Sequence, residues 1–218
     1  MTAPHHRLTP PDPARMNPRD QDGVIVGNVY DKYSARNPLV RALMAGFFRA
    51  VTDLYRRAAP TTVLEVGCGE GHLAAALYRA AAPPARFVAT DLLDARAPGL
   101  PPAIEFQPAS IYALPFPDRA FDLVVCCEVL EHLERPAQAL AELCRVADRH
   151  LLLSVPWEPI WRALNLARGR YLRDLGNTPG HLQHFSRRQF HQLTAPYLDS
   201  IERRRPLPWT VLLGAPRR

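Results

Sequence analysis

Long apolar runs are absent from this sequence. No stretch approaches the roughly 18 residues that a membrane-spanning helix requires. Residues 1–30 hold no apolar core between a basic start and a cleavage site, so no signal peptide is read there and a cytoplasmic protein is expected. Cysteine is scarce as well. Cys68, Cys126, Cys127 and Cys144 form no Cys-x-x-Cys pair and no spacing of a disulfide framework or zinc knuckle, which predicts reduced, mostly buried thiols. Lysine is nearly missing: Lys32 stands alone, and arginine supplies the rest of the positive charge behind a formal net +6. With abundant Ala and Pro, that balance reads as coding bias, so scattered solvated arginines are expected rather than a nucleic-acid-binding face.

What is present is an ordinary globular balance, 47% hydrophobic and 22% charged in 218 residues, enough for one sizeable core. Residues 1–22 are rich in proline and charge without apolar periodicity and read as a flexible tail. Residues 23–58 are expected to cap the domain that follows, through a helix from Asn37 with Leu39, Leu43, Phe47, Val51 and Leu54 at spacings of three or four and Pro38 in its first turn. Residues 59–218 form that domain. Apolar runs at 62–66, 86–90, 121–126 and 150–155 have strand length, and three of them are apolar almost throughout, as strands buried on both faces would be. Helical stretches follow the first run, "HLAAALYRAAA", and the third, "RPAQALAELCRVADR". Strand-helix alternation of this length predicts an α/β fold with a doubly wound, mostly parallel sheet in a single domain. A helix near 186–195 then precedes extended segments at 199–205 and 209–215, which are expected to pair antiparallel on the sheet edge.

The first strand-to-helix turn, "VLEVGCGEGHLAAAL", carries the strongest chemical signal. In an open parallel sheet a ligand lies beyond the carboxyl ends of the strands, and side-chain-free backbone at Gly67 and Gly69 lets it approach the amides that open the helix. The spacing is Gly-x-Gly-x-Gly, with His72 where a dinucleotide fingerprint has its third glycine, which disfavours NAD. Asp91 ends the second strand, where a carboxylate can accept hydrogen bonds from ribose hydroxyls. Glu65 falls at the end of the first strand, where a buried acid needs a partner that a cationic amino group would provide.

These blocks, with "VATDL", "LPFPDRAFDLVVCCEVLEHL" and "LLLSVP" in order over about residues 60–156, resemble the motifs of class I S-adenosylmethionine-dependent methyltransferases. The resemblance implies a Rossmann-like seven-stranded sheet and S-adenosyl-L-methionine as cofactor. It implies Glu65, Gly67 and Gly69 around the methionine moiety, with Cys68 in the same loop, Asp91 at the ribose and Leu92 on the adenine face. Ser110 with Ile111 would meet the adenine edge, and Glu128 would lie near the methionine part. The family often has Asp where Ser110 stands, so the adenine amino contact is either weakened or made by the hydroxyl.

Methyl transfer from a sulfonium chiefly requires alignment and exclusion of water, and a base when the acceptor is a hydroxyl or a protonated amine. Candidate bases are His132, His181 and His184; a loop-stabilising role for the latter two stays open. Glu128, Glu131, His132 and His181 resemble the metal ligands of ubiquinone-pathway and small-RNA methyltransferases, yet "EVLEHL" also occurs in metal-free relatives, and no metal is the expectation. Residues 156–181 form an insertion with Trp157, Trp161, Leu164 and Arg168 at near-helical spacing. It reads as a packing helix, a wall over the acceptor, or a basic amphipathic face for a lipid-like substrate. Tyr30 and Tyr33 would close the same pocket or staple the first helix. The expected activity is methylation of an oxygen or nitrogen of a small natural-product or isoprenoid-like acceptor. The alternatives are metal-assisted 2′-O-methylation of RNA and a catalytically silent cofactor-binding partner protein.

Overall fold

Helix α1 (Pro38–Ala58) begins where the sequence satisfies a first turn: the Asn37 side chain accepts the Leu39 N–H at 2.9 Å, and Pro38 needs no partner for a missing N–H. It ends at Ala59, whose left-handed backbone (φ 42°) returns its N–H to the Tyr55 carbonyl. In this computed structural model, which describes residues 37–167, 177 and 181–218, the tail, Tyr30, Tyr33 and Arg168 lie outside the described residues. The buried stripe of α1 is Val40, Met44, Phe47, Val51 and Leu54, while Leu39 is 57% exposed. Both series fit a helical period, so spacing alone does not decide between Leu39 and Val40 as the first core residue.

Strands β1 (Thr62–Val66), β2 (Arg86–Asp91), β3 (Ile104–Pro108), β4 (Phe121–Cys127) and β5 (Ala147–Pro156) are joined by α2 (His72–Ala80) and α3 (Pro136–Val146). Then come α4 (Glu158–Ala167), α5 (Arg187–Thr194), β6 (Leu198–Arg204) and β7 (Trp209–Pro216). One seven-stranded sheet results, in the order β3-β2-β1-β4-β5-β7-β6. Strands β1 to β5 pair in parallel, and β7 runs antiparallel between β5 and β6. The alternating α/β fold and the antiparallel C-terminal pair therefore stand as expected. Strand β5 starts earlier than its apolar run, at Ala147, so the stretch that reads as helical, "RPAQALAELCRVADR", ends as helix at Val146.

The sheet separates two cores, and alternate residues of its central strands serve each. Leu123, Val125 and Leu152 face α1 and α2, whereas Val124, Leu151 and Leu153 face the side covered by α3 and α5. All six are fully buried, so truncating any of these leucines to Ala would cost about 2–5 kcal/mol. This double cover explains the near-continuous apolar runs, and it fixes the carboxyl ends of β1, β2 and β4 side by side.

Candidate cofactor and acceptor site

Strand β1 delivers its loop straight to the neighbouring strand. The amides of Gly67 and Cys68 both donate to the Thr90 carbonyl, at 2.8 and 3.0 Å, and the Gly69 N–H donates to Asp91 Oδ2 at 2.7 Å. The other oxygen of Asp91 accepts its neighbour's amide, from Leu92, at 2.7 Å. Asp91 thus fastens the glycine loop as well as standing at the position expected for ribose; each carboxylate oxygen keeps a second lone pair for a hydroxyl. The glycines are also demanded by the protein itself. A Cβ at Gly67 (φ 78°) would come within 2.4 Å of Val129 Cγ2, and one at Gly71 (φ 81°), the N-cap of α2, within 2.9 Å of Leu100 Cδ1.

Beneath this loop Glu65 is 3% exposed, and its Oε2 has no hydrogen-bond partner. Burial, with the Asp91 charge second, pushes its carboxyl up to about 8, against a hydrogen bond from the Ala74 N–H that lowers it. An orphaned acid oxygen under bare backbone fits an ammonium-bearing ligand, since ionising Glu65 beside a cation would satisfy both. Cys68 is buried in the same turn, and burial first, then the charges of Glu65 and Asp91, raise its thiol well above the ordinary range, which keeps it neutral. Leu92 packs at the edge of the core and Ile111 is buried within it, while the Ser110 hydroxyl accepts the Tyr112 N–H at 3.3 Å.

Glu128, directly after β4, has a left-handed backbone (φ 62°). Its carboxylate accepts from Ser154 Oγ at 2.9 Å and from Trp209 Nε1 at 2.6 Å. It is therefore turned to β5 and β7, and the group of possible metal ligands among the described residues, Glu131, His132 and His181, does not include it.

The acceptor-side candidates divide. His181 is buried and within 2.6 Å of Glu158 Oε1 through Nδ1. Its ring lies edge-on to His132 with centroids 5.0 Å apart and stacks on Trp161 at 6.3 Å. Glu131, His132 and His181 each offer a ligand atom within 4.8 Å of the others. His184, by contrast, is exposed and paired with Asn177 Oδ1 at 2.9 Å. Trp157 lies beneath the Arg187 guanidinium, 3.7 Å from its ring centroid, whereas Trp161 also meets Trp209 at 5.7 Å. Sequence reasoning singled out neither Glu158 nor Trp209. Glu158 sits alone in the insertion with no motif around it, and Trp209 reaches Glu128 only because β7 folds back beside β5.

A Gly-rich turn on an open parallel sheet, a strand-final acid beside it and an antiparallel C-terminal pair define the class I methyltransferase fold. Residues 64–150 match the family described as "Methyltransferase domain". A probable S-adenosylmethionine-dependent methyltransferase of Mycobacterium tuberculosis is 34% identical over 116 residues, 50% of this chain and 41% of that protein. The chain spans less than half the length of the curated relatives it matches. Among solved structures, a chain of the complex between the Haloferax volcanii Trm112 methyltransferase activator and a methyltransferase is similar at TM-score 0.63 and 14% identity, over 82% of this chain and 92% of that one. Magnesium protoporphyrin IX methyltransferase of Synechocystis PCC 6803, with bound S-adenosylhomocysteine, is similar at TM-score 0.59 and 18% identity, over 84% and 90%. Over residues 64–150 the chain is similar to a methyltransferase domain, and its sheet has the fold of the solved S-adenosylmethionine-dependent methyltransferases. The cofactor of this class is S-adenosyl-L-methionine.

Proposed function

We propose that this protein transfers a methyl group from S-adenosylmethionine to an oxygen or nitrogen of a small-molecule acceptor, natural-product-like or isoprenoid-like. The observation that carries the reading is the buried, unpartnered Glu65 oxygen under the Gly67–Gly71 turn that Asp91 fastens. When bound, the cofactor supplies a sulfonium methyl whose carbon–sulfur bond breaks, the electron pair staying on sulfur as the acceptor atom bonds the carbon. Glu65 would hold the amino group, Asp91 the ribose hydroxyls, and the main chain of Gly67 and Gly69 the path between them. The acceptor's proton must also leave, and His181 is the buried imidazole available to take it. Trp161, stacked on that ring, supports an apolar wall for the acceptor. Acceptor-dependent formation of S-adenosylhomocysteine across a panel of phenols, amines and isoprenoid quinols tests the reading. Cofactor binding without turnover on any of them would favour a silent binding partner instead.

A second reading has its own observation, the grouping of Glu131, His132 and His181 within 4.8 Å. Two imidazoles and a carboxylate suit a divalent transition metal, and Glu158 behind His181 is an outer partner of the kind such ligands use. Glu128 has no place in that set. Chelation decides: loss of turnover that added manganese or zinc restores supports the metal, and methylation of RNA fragments under those conditions would move the acceptor from small molecule to ribose.

A further inference from the structure

We propose that Glu158, the first residue of α4, is a positioning residue that fixes the tautomer of His181 and makes Nε2 its working nitrogen. The inference rests on the reading of His181 as the acceptor-side imidazole, and it holds whether Nε2 takes a proton or binds a metal. Both side chains are buried, at 4% and 5% side-chain exposure, and Glu158 Oε1 lies 2.6 Å from His181 Nδ1. A carboxylate here can only accept, so the 2.6 Å contact would place the imidazole proton on Nδ1 and leave the lone pair on Nε2.

Two aromatic contacts hold the orientation of the ring, while Glu131 offers a ligand atom within 4.8 Å. Trp161 covers one face, with the planes only 26° apart, and His132 meets the ring edge-on at 78°. The chain that follows His181 is fastened to two elements. Leu182 and Gln183 donate their amides to the Glu131 carbonyl, both at 2.9 Å, and the Glu158 N–H donates to the Phe185 carbonyl at 3.2 Å. An imidazole fixed in orientation and tautomer loses little freedom when it acts, which is what a transferring site needs.

As the acceptor's O–H or N–H proton passes to Nε2, its bonding pair stays with the acceptor atom that receives the methyl carbon. The imidazolium formed would then be stabilised through Nδ1–H by the Glu158 carboxylate, without moving that proton. The second oxygen of Glu158 is buried without a hydrogen-bond partner among the described residues, so no other donor there competes with Nδ1 for this carboxylate.

The test uses the full chain with its histidine rings labelled with nitrogen-15, the His181 signals being assigned through bonds from its own backbone amide. Wild-type protein is expected to show a pyrrole-type Nδ1 and a pyridine-type Nε2 at His181. E158D, which keeps an acceptor, should retain that pattern. E158L, which keeps bulk but has none, should lose it while binding S-adenosylmethionine within about twofold of wild type, as for sites that share no partner. A wild-type proton on Nε2, an unchanged tautomer in E158L, or a larger loss of cofactor affinity in E158L would each overturn the proposal. Should E158L fail to fold, the wild-type and E158D spectra decide alone. A wild-type protein that binds no cofactor would sink the methyltransferase reading and leave the tautomer result standing by itself.

Discussion

At Asp91 one side chain holds the protein and would hold the ligand. Replacing it with Ala removes the acceptor for the Gly69 and Leu92 amides along with the ribose contacts. Cofactor affinity should fall by about 1.5–3 kcal/mol, read by calorimetry; unchanged affinity would refute the assignment. Glu65 makes a prediction of the opposite kind, about protons. Its carboxyl titrates near 8 in the folded chain against 4.5 ordinarily. Between those values the unfolded chain gives up a proton that the native state keeps. The stability this group contributes is therefore complete below about 4.5 and is lost as pH rises through about 8. E65Q should flatten that slope in pH-dependent denaturation. At pH 7 the carboxyl is mostly protonated, so binding a cationic amino group should release close to one proton, seen as a dependence of the binding enthalpy on buffer ionisation enthalpy. Equal enthalpies in phosphate and Tris would count against the pairing. Gly67 adds a steric case: Ala there meets Val129 and a left-handed backbone, for a loss of about 1–2 kcal/mol from the backbone alone. V129A should recover only the steric part in denaturant titration.

Elements divide into those that announce themselves and those that do not. The runs of β1, β4 and β5 are legible because both faces are covered, and the turn after β1 because glycine is the residue that fits beside Val129 and Leu100. Strand β3 is different: "IEFQP" lies at the sheet edge with only Ile104 fully buried, so it has no apolar run, and only a family resemblance implies a seventh strand. Glu158 escaped notice for a related reason, since its partner is 23 positions away and no local pattern links them. Helix α5 is short and depends on its start, where Ser186 Oγ accepts the Gln189 N–H at 3.2 Å and Gln189 Oε1 accepts the Ser186 N–H at 2.9 Å. S186A should destabilise it by about 1 kcal/mol. Faster amide exchange in 187–194 than in α3 would locate the loss, and the same S186A change spreading uniformly would show that α5 does not open by itself.

For the whole molecule, ligand and fold are linked. A ligand seated on the ends of β1, β2 and β4 joins strands whose order was set by two cores, so its binding energy adds to global stability. At a hundred times its dissociation constant S-adenosylmethionine should add about 2.7 kcal/mol. For a chain of this size that raises the midpoint of thermal unfolding by about 5–10 °C. No shift at millimolar cofactor would contradict the site. Among the described residues, no helix is long and apolar enough to cross a membrane.

Because the Glu128 carboxylate accepts hydrogen bonds from residues 154 and 209, the locale that β4 opens is joined by a strand made much later. During synthesis, the glycine turn and Asp91 can come together long before Trp209 leaves the ribosome. The Trp209 bond to Glu128 therefore forms only once β7 has found its slot between β5 and β6.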